Sequence, residues 1–369
     1  MSVPELFLVT HPGLENFLAD EACEKGFGVT GTIPGGVTLS GGWPEAWRAN
    51  LRLRGATRVL VRLTSFRAMH LAQLDKRARK LPWGDWLRPD LPFRVEATCR
   101  KSRIYHAGAA AQRIERAVSE TLGAPLSKDA GIVLKLRIED DLATLSVDTS
   151  GASLHKRGLK QAVAKAPMRE TMASLLLRAA GFDGRETVLD PMCGSGTFPI
   201  EAAEIASDFA PGRARAFAFE TLASFDATAW ETMRHAHDGD LPPGPPRFFG
   251  SDRDQGAVRM AGENATRAGV SEIVRFQRMD VSDVAPPEGS PGLVIANPPY
   301  GGRIGAKGPL HALHASFGKA MKERFKGWRI ALVTSEPGLV KSTGLPFAEP
   351  GPFIDHGGIR VRLYQTGPL

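Results

Sequence analysis

Two segments of this chain carry residue types and spacings that can do chemistry. The first is Val188-Leu189-Asp190-Pro191-Met192-Cys193-Gly194-Ser195-Gly196-Thr197, an apolar strand running into a Gly-rich turn. Glycine lets the backbone approach a ligand closely, and the start of a following helix offers free N–H groups to a carboxylate or phosphate. The segment is neither a dinucleotide fingerprint nor a phosphate-binding Walker loop, because no Gly-Lys-Ser/Thr follows. The second is Asn297-Pro298-Pro299-Tyr300, directly after the apolar run Leu293–Ala296. Two prolines end a strand in an extended, donor-poor turn. The Asn297 side-chain oxygen and the Pro298 carbonyl can then face a ligand as acceptors. An amino nitrogen conjugated to a ring or carbonyl is a poor nucleophile. Two acceptors gripping its hydrogens orient it and favour its pyramidal form, so positioning and electrostatics supply the rate. Tyr300 offers a flat face on which a base can stack. Read singly, each segment is also compatible with an ordinary turn.

A third segment is Phe249-Gly250-Ser251-Asp252-Arg253-Asp254. A carboxylate at a strand end suits a ribose diol, because it can accept from two hydroxyls. Asp252 takes that role, and Asp254, just before Gln255, reads as a helix N-cap.

The Asp-Pro-x-Cys-Gly-Ser-Gly-Thr string resembles motif I of the class I S-adenosylmethionine (SAM) methyltransferases, in the form used by amino-methylating enzymes. Together with Asn-Pro-Pro-Tyr it resembles the amino-methyltransferase group of that family. The resemblance implies S-adenosyl-L-methionine as cofactor and no metal. It implies a cofactor site of Asp190, Pro191, Cys193, Gly194, Ser195, Gly196, Thr197, Asp252, Arg253, Asp280 and Val281, with Asp280 accepting from the adenine amino group. Ala166–Thr171 resembles the motif X segment that closes over the methionine end, which adds Pro167 and Thr171. Asn297 belongs to this set and to the catalytic set of Asn297, Pro298, Pro299 and Tyr300.

These residues need a scaffold. From about residue 169 the pattern alternates: helix to Ala180, strand 187–190, helix from 198, strand 247–252, helix 255–268, strand 274–279, strand 293–296, helix 313–325, strand 330–334. That order predicts a doubly wound parallel sheet, closed by an antiparallel hairpin around Gly357-Gly358. The first 150 residues predict an α+β domain of short strands and helices. Within it, Thr57–Thr64 alternates so that Arg58 and Arg62 share one face of a strand and Val59, Val61 and Leu63 the other. The basic stretch Ser153–Gly158 reads as a linker, which gives domains at 1–155 and 156–369.

Composition bounds the partners. The chain has 369 residues, 42% hydrophobic and 24% charged, which fits folded domains. Three cysteines without CxxC or zinc spacing argue against a disulfide scaffold and suit a reducing, cytoplasmic setting. No run of about 18 apolar residues suggests a membrane span, and Met1-Ser2-Val3-Pro4-Glu5 does not open a signal peptide. The net charge is +7, and residues 1–160, with 24 Lys and Arg against 17 Asp and Glu, hold all of it. A basic domain beside a neutral one suggests a docking module for a polyanion.

Arg52 to Leu60 and the basic helix and hairpin beyond resemble a ferredoxin-like segment followed by a THUMP domain. Leu6–Leu18, the motif X region, Phe217–Trp230 and Asn297–Arg303 together resemble the bacterial 23S ribosomal RNA guanine-N2 methyltransferases of the RlmL type, in a version with one methyltransferase domain. The resemblance implies structured RNA as partner, ribosomal RNA first and transfer RNA as the alternative. An RNA-binding assembly factor is the reading from another class. The expected RNA contacts are Arg54, Arg58, Lys76, Arg77, Arg79, Lys80, Arg100, Lys101, Arg103 and Arg303, with Tyr105 and His106 able to stack on an unpaired base. The target nucleotide, the number of methyl groups added and the oligomeric state are left open.

Overall fold

The computed structural model describes residues 5–161, 168–236, 239–299, 307–356 and 358–369. In chain order the first elements are β1 (Glu5–Val9), α1 (Glu15–Glu24), β2 (Gly28–Ile33), β3 (Gly36–Ser40), α2 (Trp43–Arg52), β4 (Arg58–Arg67) and α3 (Leu71–Ala78). They are followed by β5 (Phe93–Arg100), α4 (Ala107–Leu122), β6 (Ile132–Glu139), β7 (Leu142–Asp148) and α5 (Glu170–Ala179). Next come β8 (Val188–Asp190), α6 (Thr197–Ala206), α7 (Ala227–His235), β9 (Phe248–Asp252), α8 (Gln255–Ala268), β10 (Val274–Arg278) and β11 (Leu293–Ala296). The last are α9 (Lys307–Arg324), β12 (Arg329–Thr334), α10 (Pro337–Thr343), β13 (Ile354–His356) and β14 (Ile359–Gln365).

The chain forms two compact units. One comprises Met1–Thr10, Ala19–Leu154 and Arg215–His237; the other comprises His11–Leu18, His155–Ala214 and Asp238–Leu369. The units therefore exchange segments across the sequence position 155/156. Residues 215–237 join the first unit for a physical reason: their aromatic side chains are buried there. Phe219 stacks on Trp47, and Trp230 meets Phe217 and Phe219 edge-on. Arg215 donates to the carbonyls of Ser150, Ala152 and Ser153, which fixes the start of the excursion.

In the first unit the sheet order among the described residues is β2-β3-β1-β4-β7-β6-β5. Only β5 and β6 pair in parallel; the other neighbours are antiparallel. β4 starts with its period of two: Val59 and Val61 are buried and the flanking Arg58 and Arg62 are half-buried, while Leu63, expected on the buried face, is only half-buried where the β4–β7 register shifts. The β6–β7 turn holds Asp140 and Asp141 both at positive φ, the turn geometry that matches the twist of a two-residue hairpin. β2 and α3 were not expected. β2 carries two glycines and almost no apolar face, and it forms by pairing with β3.

In the second unit the order is β10-β9-β8-β11-β12-β14-β13. The pairs from β10 to β12 are parallel, and β14 is antiparallel to both β12 and β13. Val294, Ala296, Ile330, Leu332, Phe317 and Phe325 lie in one buried apolar cluster between strands and helix. The strand order reverses between β8 and β11. In such sheets the crevice outside the carboxyl ends of the strands at that point is where ligands bind.

Candidate active site

β8 lies between β9 and β11, so Asp190, Asp252 and Asn297 stand at or just beyond the carboxyl ends of three adjacent strands. Asp280 follows β10, the next strand out. The topology thus brings motif I, the acidic strand end and the Asn-Pro-Pro turn to one edge.

The Gly-rich turn is built by hydrogen bonds to its own walls. The Gly194 N–H donates to Asp252 Oδ2 at 3.0 Å, and the Asp254 N–H donates to Asp252 Oδ1 at 3.0 Å. Cys193 N–H donates to the Ser251 carbonyl at 2.9 Å, and the Asn264 amide donates to the Ser195 carbonyl at 3.1 Å. Gly196 has φ +83°, and a Cβ there would lie 2.8 Å from Phe276 and 2.9 Å from Ala261. Only glycine fits. Gly194, at φ +53°, faces open space: a Cβ there would meet nothing within 4 Å. A glycine with an open face, beside a carboxylate held by backbone N–H groups, suits a nucleoside with a diol. Asp254 caps α8 by accepting from the Gly256 N–H at 2.7 Å.

Asp190 is fully enclosed and accepts from the Met192 N–H at 3.0 Å. Burial, which its hydrogen bond to the Met192 N–H only partly offsets, with a smaller push from the Asp252 charge, lifts its carboxyl to about 8. A carboxyl raised above its unfolded value stabilises the fold below the unfolded pKa, near 4, and loses that contribution as pH rises through about 8. Asparagine can accept the same Met192 hydrogen bond without titrating. Asp190→Asn should therefore flatten the decline in thermal stability between pH 5 and 9 that the wild type shows; thermal melts across that range check it.

Thr171 is 1% exposed in the first turn of α5, and its hydroxyl has no hydrogen-bond partner. Pro191, Ser195 and Thr197 are buried around the turn. The Cys193 thiol is buried and its pKa is driven well up by burial, so it is a packing group and not a nucleophile. Asp280 is exposed and accepts from both the N–H and the hydroxyl of Ser282, which lowers its carboxyl pKa. Val281 points its side chain into the apolar core, so only its backbone can face a ligand. Arg253 is exposed, and its carbonyl accepts from Arg278 at 3.2 Å.

Asn297 is half-buried, and its side-chain oxygen is sealed from solvent without a partner. Pro298 is buried and Pro299 half-buried. Tyr300, Arg303 and Pro167 lie outside the described residues.

The basic residues of the first unit divide. Arg54 is 5% exposed, packed where its own N–H donates to Glu21. Arg58 pairs with the buried Asp148 and donates to the Gly151 carbonyl at 2.5 Å. Neither is among the exposed cations: Arg54 is buried and the Arg58 guanidinium is paired with Asp148. Arg79 is similarly held by Asp75 at 2.7 Å and Glu120 at 2.6 Å. Lys76, Arg77, Lys80, Arg100, Lys101 and Arg103 are exposed, and Tyr105 is 84% exposed. The loop carrying Lys101 is pinned: the Arg103 N–H donates to Asp141 at 2.8 Å, and the Asp141 N–H donates to Ser102 at 3.1 Å. His106 is spent as the cap of α4, accepting from the Ala109 N–H.

Sequence reasoning missed Asn264, Phe276 and Lys160. The first two lie on elements that were expected, but nothing in their spacing announces that they brace the Gly-rich turn. Lys160, just after the Ser153–Gly158 stretch, was not singled out.

Residues 157–345 match the family model described as an RMKL-like methyltransferase domain. The chain belongs to the RMKL-like methyltransferase family. S-adenosylmethionine is the cofactor of this fold family, and the open face at Gly194 beside Asp252 fits its nucleoside. The first unit of this RMKL-like methyltransferase matches an RlmL ferredoxin-like domain over residues 5–60 and a THUMP domain over 68–148. It is 36% identical over 365 residues to the ribosomal RNA large subunit methyltransferase K/L of Syntrophotalea carbinolica, covering 94% of this chain and 51% of that protein. The chain thus spans about half the length of the curated relatives it matches. Among solved structures, a Listeria monocytogenes protein described as a predicted N6-adenine-specific DNA methylase is 30% identical, with a TM-score of 0.88 over 99% of this chain and 96% of that one. SMU.472, solved in complex with SAH, is 26% identical, with a TM-score of 0.88 over 100% of this chain and 99% of that one. Among the described residues no helix is long and apolar enough to cross a membrane.

Proposed function

We propose that this RMKL-like methyltransferase adds a methyl group to the exocyclic N2 amine of a guanosine in structured RNA, with large-subunit ribosomal RNA as the substrate. The observation that carries the amine is the Asn297 side-chain oxygen, buried and without a donor at the carboxyl end of β11. A buried acceptor left unpaired costs about 1–3 kcal/mol, so its retention argues for a donor that arrives with substrate. The Asn297 oxygen and the Pro298 carbonyl each accept one N–H of the amine, which turns its lone pair out of the ring plane. Burial excludes water and strengthens both bonds. S-adenosylmethionine, held by the Gly194 turn, Asp252 and Asp280, supplies an electrophilic methyl group. Tyr300 stacks on the base once it has left its helix, as base-modifying enzymes require.

The THUMP match and the relative's name support RNA over DNA; the DNA description of the Listeria protein is the competing reading. Methylation by the purified chain, followed by mass spectrometry of nucleosides, tests the proposal. N2-methylguanosine in unmodified large-subunit RNA is the expected product. Product confined to transfer RNA moves the substrate to the alternative, and N6-methyladenine in DNA overturns the reading.

A further inference from the structure

We infer that Lys160 is a positioning residue for the cofactor, one ammonium that fixes the start of α5 against the first turn of α6. The inference rests on the reading of the crevice as the S-adenosylmethionine site. Lys160 is not a solvated residue: its side chain is 12% exposed. Its Nζ donates to the Met168 carbonyl at 2.9 Å and to the Thr197 hydroxyl at 2.9 Å, and it lies 3.6 Å from the Glu170 carboxylate. Met168 precedes α5 and Thr197 opens α6, so a single group ties the two helix starts together.

Those helix starts carry residues assigned to the cofactor, Thr171 at its methionine end and Thr197 in motif I. Thr171, with its unpartnered buried hydroxyl, follows Glu170; Thr197 ends the Gly-Ser-Gly turn. A displacement of about 1 Å at such a wall is enough to weaken binding or rate strongly.

The charge of Lys160 is the second argument. The start of a helix carries positive partial charge and disfavours a cation. Stability alone would place a neutral or acidic group beside Thr197. Glu170 offsets the cost of the ammonium, and both groups are partly desolvated. The other acids nearby are already taken: Glu201 and Glu204 pair with the buried Arg157. A cavity of about 30 Å³, lined by Lys160, Glu170, Thr197, Asn264 and Arg157, adjoins the ammonium. It leaves room for the longer head of an arginine at this position.

Calorimetric titration of the full chain with SAH tests the inference without turnover. Lys160→Met weakens SAH binding at least about tenfold, equivalent to about 1.4 kcal/mol, and Lys160→Arg restores it to within about threefold. Because Lys160→Met strands Glu170, the double variant Lys160→Met, Glu170→Gln is measured beside it, with circular dichroism to establish folding. It too binds SAH weakly. In turnover, KM for S-adenosylmethionine rises, while KM for RNA and kcat at saturating cofactor hold. A folded double variant that binds SAH like the wild type overturns the inference alone. A wild-type chain that binds no SAH overturns the site reading and the inference with it.

Discussion

Asn297→Ala should lower single-turnover methyl transfer at least about a hundredfold, the usual cost of removing one preorganised electrostatic contact. SAH binding should stay within a few fold of the wild type. The physical argument has two halves. In the free enzyme the Asn297 oxygen has no partner, so its removal breaks no hydrogen bond of that oxygen. Deleting an unpaired buried acceptor relieves a desolvation cost of about 1–3 kcal/mol, so the melting temperature of the free protein should not fall. With the amine bound, the same deletion leaves one N–H without an acceptor inside a sealed site, and the lone pair loses its orientation. An activity loss without a stability loss separates this role from a structural one. Asn297→Asp keeps an acceptor but buries a charge, so it should retain more transfer than alanine and lose thermal stability. Loss of SAH binding in Asn297→Ala would instead assign this side chain to the cofactor rather than to the amine.

The elements that hold this site were legible where local chemistry and burial agree. Helix α8 was expected at 255–268 with Asp254 as its cap, and Asp254 caps it, while Gly269 ends it in the left-handed conformation. β11 reads as four apolar residues before two prolines, which suits a buried parallel strand. The site residues were legible for the same reason: they follow strand ends directly. What was not legible depends on distant partners. α3 has two buried residues, Leu74 and Ala78, and a histidine cap, and its run of basic residues hid that face. Residues 215–237 read as part of the methyltransferase half, because no local signal tells Phe219 that Trp47 is its neighbour. Arg54 and Arg58 were expected to meet RNA because no local signal shows that Arg54 is buried or that Arg58 faces Asp148. Lys160 was missed similarly, because its partners at Met168, Glu170 and Thr197 are not announced by its neighbours in sequence.

The corrected charge map sharpens the RNA prediction. Neutralising Lys76, Arg77, Lys80, Arg100, Lys101 and Arg103 together should abolish most of the salt dependence of RNA binding and leave SAH binding unchanged. The two clusters flank α3. Arg103 approaches Met69, just before α3, at 3.5 Å, and Arg79, just after α3, pairs with Glu120. At 1.5 Å per residue the helix spans about 12 Å, so the clusters lie at the two ends of that distance. Over such a length a nucleic-acid duplex presents on the order of seven phosphate charges. Each lysine or arginine that meets a phosphate contributes about 0.7–0.9 to the slope of log affinity against log salt, so six contacts sum to a slope of about 4 to 5. The pinned loop adds to the effect, because Lys101, held at φ +45°, is already fixed before RNA arrives. Arg79→Gln is the internal comparison. Its guanidinium is spent on Asp75 and Glu120, so its loss should leave the salt slope unchanged. If Arg79→Gln lowered the slope as much as Lys76→Gln, the ion pairs of Arg79 would have to open on RNA, and pairing would not separate it from the phosphate-facing residues.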